Sequence, residues 1–127
     1  MRLQTTKRFS TAALSIAVAA LLLQVTAASG HAILIASTPK EGDVISNSDP
    51  TFALQFNVRI DGIRSRISLV HPDGTIQPVS INKQTSPDTL TANAKGLAPG
   101  NYHIRWQVLA VDGHISNGEV RFTVRGF

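Results

Sequence analysis

Tyr102 to Val111 is the longest strand pattern in the chain, and it alternates cleanly as far as Val108. Tyr102, Ile104, Trp106, Val108 and Ala110 fall on one side, and His103, Arg105 and Gln107 on the other. A period of two sorts side chains onto opposite faces of an extended strand, and a helix cannot sort these residues that way. Thr51 to Val58 repeats the pattern, with Phe52, Leu54, Phe56 and Val58 opposed to Ala53, Gln55 and Asn57. Glu119 to Arg125 places Val120, Phe122 and Val124 together, with charges facing the other way. Shorter candidate strands run from Ser65 to His71, Thr75 to Ile81 and Leu90 to Ala94. They are separated by Pro72-Asp73-Gly74, by the polar loop 82–88 and by Pro99-Gly100. Proline pre-sets φ and glycine accepts positive φ, so these are turns with a mechanism. No helical period, internal repeat or linker interrupts the series. The expectation is all-β: one antiparallel β-sandwich or barrel.

The first 30 residues are of a different kind. Arg2, Lys7 and Arg8 form a positive start, Thr11 to Val25 is mostly apolar, and Ala28-Ser29-Gly30 places small side chains before a cut. This is the layout of a cleavable export signal. The apolar stretch is shorter than the roughly 20 residues a membrane helix needs. An uncleaved signal anchor is the competing reading, disfavoured by the small residues before His31. The expected organisation is a signal peptide over 1–30 and one domain over 31–127.

Charge and sulfur narrow the classes further. Three of the 12 Lys and Arg residues lie in the signal and all eight acidic residues lie after it, which leaves nine basic against eight acidic. The charges are mixed along the chain, so nucleic-acid or anionic-membrane binding gains little support. The chain has no cysteine, and its only methionine is Met1. Disulfides, thiolate metal sites and cysteine chemistry are excluded, as are the soft ligands that copper(I) prefers. No nucleophile motif surrounds any serine, so a hydrolase is unsupported.

Cleavage after Gly30 leaves a histidine with a free amine. Such an amine has a pKa near 8, so a metal can displace its proton at neutral pH. The Nδ1 of the same ring closes a six-membered chelate. Asp112-Gly113-His114 adds a carboxylate and a second imidazole, two positions apart and able to converge if extended. Three nitrogens with a weaker oxygen suit the tetragonal preference of copper(II). Zinc accepts similar ligands in a tetrahedral array and stays open. Taken singly, His31 is a residue near a terminus, Asp112-Gly113 a common turn pair and His114 a loop histidine. Their conjunction makes His31, Asp112 and His114 the candidate metal ligands. His71 and His103 are read as surface histidines, Tyr102 and Trp106 as core, and Arg64 and Arg66 as a solvated edge.

These residues resemble a known family. The matching stretches are His31-Ala32-Ile33-Leu34, Ser37-Thr38-Pro39 with Gly42, and Leu54-Gln55-Phe56. Further along come Leu97-Ala98-Pro99-Gly100-Asn101-Tyr102, Trp106, Asp112-Gly113-His114 and Gly118-Glu119-Val120-Arg121-Phe122-Thr123-Val124. Together they look like the CopC-type copper resistance proteins, which are small periplasmic copper(II) carriers, and the likeness spans essentially all of 31–127. It implies an immunoglobulin-like Greek-key sandwich, cupredoxin-like in shape. It implies one copper(II) per mature chain, held by a histidine brace from the His31 amine and imidazole and the His114 imidazole, with an Asp112 carboxylate oxygen at or near the copper. Two departures stand out. Asn57-Val58 follows Phe56 where many members have Ser-Glu, and the mature chain lacks the methionines of a copper(I) site.

The leading expectation is a periplasmic carrier that buffers or delivers copper, a monomer and not an enzyme. The family supplies an inner-membrane partner of the CopD type. A histidine-brace oxidase or monooxygenase is the alternative, opposed by the small domain and the crowding carboxylate. The other is a metal-free immunoglobulin-like interaction module, in which changing His31 or His114 is without effect.

Overall fold

The computed structural model describes residues 31–126; the signal expected over 1–30 lies outside them. Eight strands follow one another: β1 (Leu34–Thr38), β2 (Asp43–Ile45), β3 (Thr51–Phe56), β4 (Ile60–Val70), β5 (Ile76–Val79), β6 (Thr89–Asn93), β7 (Gly100–Ala110) and β8 (Ile115–Val124). They form two sheets, a three-stranded one in the order β1-β3-β6 and a five-stranded one in the order β2-β8-β7-β4-β5. The sheets face each other as a sandwich and do not close into a barrel. One pair departs from the expected antiparallel rule, since β2 runs parallel to β8. The chain leaves β1 at the edge of one sheet and crosses through residues 39–42 to the edge of the other, which sets its direction along β8. The Gly42 N–H donates to the Arg121 carbonyl at 2.8 Å at the start of this pairing.

The alternating rows become the core. Phe52, Leu54 and Phe56 of β3 face Tyr102, Ile104, Trp106 and Val108 of β7 and Val120, Phe122 and Val124 of β8, and all are buried. Burying side chains of this size contributes about 1.5–3 kcal/mol each relative to exposure. The aromatic rings set the spacing between the sheets. Across the gap Phe56 meets Trp106 edge-on at 5.1 Å and Phe52 lies 5.6 Å from Phe122, which stacks on Tyr102 at 5.5 Å within its own sheet. The Tyr102 hydroxyl donates to the Ala98 carbonyl at 2.6 Å, the corner contact of immunoglobulin-type sandwiches. Burial pushes its phenol above the usual range.

Two features shape the end of the sandwich where β7 turns into β8. The register of β4 on β7 shifts between Asp61 and Arg66. Ser65 closes this bulge: its hydroxyl donates to the Asp61 carbonyl at 2.6 Å and accepts the Leu109 N–H at 3.1 Å. On β8, Gly118 lies directly opposite Trp106. A Cβ at Gly118 would stand 2.2 Å from Cζ2 of the indole, so only glycine leaves room for the ring.

Candidate metal centre

His114 belongs to the tight turn between β7 and β8. The Ala110 N–H donates to the His114 carbonyl at 2.9 Å, and the Gly113 N–H donates to the Ala110 carbonyl at 2.9 Å. Gly113 takes φ +95°, a conformation L side chains rarely adopt. Residues 112–114 are therefore not the extended segment that their spacing suggests. They converge because the turn folds Asp112 back on His114. Asp112 Oδ1 accepts the His114 N–H at 3.1 Å and stands 3.2 Å from His114 Nδ1. The backbone bond from His114, with the imidazole beside it, holds the Asp112 carboxyl below the usual carboxylate range. Both side chains are about half exposed, so the turn presents them to solvent on a fixed backbone.

His31 arrives from the far end of the chain, ahead of β1. Its ring centroid lies 5.7 Å from that of His114, with the rings edge-to-face at 64°. Two hydrogen bonds fix this approach. The Ala32 N–H donates to Ser116 Oγ at 3.0 Å, and the Ile33 N–H donates to Asn57 Oδ1 at 2.8 Å. The Asn57 N–H returns a bond to the Ile33 carbonyl at 3.0 Å. The Ala32 side chain is buried in the core between them. Nothing in the sequence marks Ser116 as a site residue. Asn57 stands out there only as a departure from the family pattern.

The other histidines stay apart from this cluster. His71 Nε2 is 2.7 Å from Gln77 Oε1, and its ring packs edge-on against Tyr102 at 5.4 Å. His103, near the start of β7, sits 2.7 Å from Glu119 Oε2. That contact, above all, holds the Glu119 carboxyl below its usual value. Among the described residues no three His, Asp or Glu side chains are gathered as a ready-made metal site. His31, His114 and Asp112 therefore supply a pair of imidazoles and a flanking carboxylate. Cleavage of the expected signal would add the His31 backbone amine as a further donor.

Comparison with known proteins places this fold. The CopC domain model matches residues 34–125, a span that holds Asp112 and His114 and begins just after His31. Protein YobA of Escherichia coli strain K12 is 26% identical over 98 residues, covering 75% of this chain and 79% of the relative. Protein YobA of Shigella flexneri matches to the same extent. Among solved structures, CopC from Methylosinus trichosporium OB3b superposes with a TM-score of 0.68. It is 32% identical, and the match covers 75% of this chain and 94% of that one. PcoC, a methionine-rich copper resistance protein from Escherichia coli, gives a TM-score of 0.62 at 20% identity over 76% of this chain and 100% of its own, a likeness of fold.

Proposed function

The chain belongs to the CopC family, and on that footing we propose that it is an exported copper(II) carrier that buffers or delivers one ion per mature chain. The observation that carries this reading is the meeting of His31 and His114, whose rings lie 5.7 Å apart although they come from opposite ends of the domain. Removal of residues 1–30 frees the His31 amine, and amine and Nδ1 then chelate one ion. His114 adds an imidazole. Its Nδ1 faces Asp112, which leaves Nε2 as the metal donor. In this role Asp112 orients the ring and raises its basicity, as carboxylates do behind metal-bound histidines. Hard nitrogen and oxygen donors without sulfur favour copper(II) over copper(I).

A carrier rather than an oxidase fits this donor set. The site lies on a tight turn of a small domain, which leaves little room for the wide flat surface that a polysaccharide oxidase needs. The working compartment is the periplasm, and the expected acceptor is a membrane protein of the CopD type. The test is a copper(II) titration of protein beginning at His31, against a competing chelator, with an EPR spectrum. One tightly bound equivalent with a nitrogen-rich tetragonal signal is expected. Weak or non-stoichiometric binding overturns the reading, and tighter binding of zinc than of copper overturns its choice of metal.

A further inference from the structure

We propose that Ser116 and Asn57 are the positioning residues of the copper site, acting on the backbone next to His31 and not on the metal; this rests on the brace reading above. A chelating amine is useful only if it is held where the second imidazole can complete the set. His31 has no secondary structure of its own, because β1 begins at Leu34. Its place is set by the two peptides that follow it. Ser116 lies two residues beyond His114, so the bond from the Ala32 N–H ties the peptide after His31 to the strand that the other histidine leads into. Asn57, just past the end of β3, takes the Ile33 N–H with its side chain and the Ile33 carbonyl with its own N–H. One residue thus anchors the segment to the five-stranded sheet and the other to the three-stranded sheet, with Ala32 sunk in the core as the peg.

The position of Ser116 supports this role. On β8 the inward row runs Ser116, Gly118, Val120, Phe122 and Val124, so a hydroxyl stands where an apolar side chain would otherwise extend the core. A half-buried hydroxyl costs free energy unless it is bonded. Here the Ala32 N–H supplies that bond. Ordering the segment before metal arrives removes part of the entropy that binding would otherwise lose.

The experiment measures copper(II) affinity by chelator competition in two backgrounds, protein beginning at His31 with a free amine and the same protein with that amine acetylated. Acetylation takes the amine out of the chelate. In the first background Ser116→Ala is expected to weaken binding about tenfold, in the range found for groups that support metal ligands. Ser116→Thr is expected to restore it. In the acetylated background Ser116→Ala is expected to leave affinity unchanged, because the amine it positions is no longer used. An equal loss in both backgrounds makes Ser116 merely structural and overturns the proposal while the brace stands. Equal binding by the two unsubstituted proteins overturns the brace, and the proposal falls with it. Should Ser116→Ala fail to fold, Asn57→Ala, with its exposed side chain, replaces it in both backgrounds: a loss confined to the first supports the proposal, and an equal loss in both overturns it.

Discussion

At the scale of single residues, the proposed site gives Asp112 and His114, on either side of Gly113, separable roles. His114→Ala is expected to abolish tight copper(II) binding, a loss beyond the roughly 10–100-fold caused by removing a supporting group. The apo-protein should melt as before, because the side chain is half exposed and off the core. Asp112→Asn is expected to cost less, about 10–100-fold, since it alters the partner of Nδ1 and leaves the imidazole in place. Chelator competition and thermal melting check both. Gly118→Ala is different in kind: the added methyl meets the indole of Trp106, and the expected loss is about 1–3 kcal/mol of stability in urea unfolding. His31, Asp112 and His114, the proposed ligand set, stand out in the sequence because metal chemistry needs those residue types. Ser116 and Asn57 are not, because a side chain bonded to a backbone N–H leaves no pattern in the sequence.

At the scale of elements, exposed carboxylates tie neighbouring segments together. Glu41 accepts both the backbone N–H and the guanidinium of Arg121, linking the turn before β2 to β8. Glu119 pairs with His103 across β8 and β7, and Asp88 gathers Thr89, Gln55 and Ser86 beside β3. These contacts hold Glu41, Glu119 and Asp88 below their ordinary values. The folded state therefore binds fewer protons than the unfolded chain near pH 4, and the stability these groups add is present above the unfolded values and lost on acidification. The urea midpoint of the apo-protein is expected to hold from neutrality to about pH 5 and to fall as pH drops through roughly 4. A midpoint that rises in that window would contradict it. The strands with a clean inner row (β3, β7 and the second half of β8) are readable from alternation alone. β1 and β2 are not, because edge strands pair on one side and neither buries a regular row. The start of β8 is hidden for another reason: its inward positions are Ser116 and Gly118, one serving Ala32 and the other making room for Trp106.

At the scale of the whole molecule, copper binding is expected to stabilise the fold. Free copper(II) at about 100 times Kd should add about 2.7 kcal/mol to the stability of the protein beginning at His31. For a domain of this size that is a rise in Tm of roughly 10–20 °C. The form with the His31 amine acetylated should show little of it, and calorimetry with and without metal separates the two. Overall architecture is legible because a core between two sheets demands alternation. Alternation does not distinguish an open sandwich from a closed barrel, and it carries no sign of strand direction, so the parallel β2–β8 pair is invisible to it. The place of the two histidines has a mechanical meaning. His31 precedes the edge strand of one sheet, and His114 follows a central strand of the other. A pull on the start of the empty domain would peel β1 from β3 one hydrogen bond at a time, as a zip opens. An ion held by both histidines is a rivet at the head of that zip, and it passes the load to the β7–β8 turn before the first bond of β1 is strained.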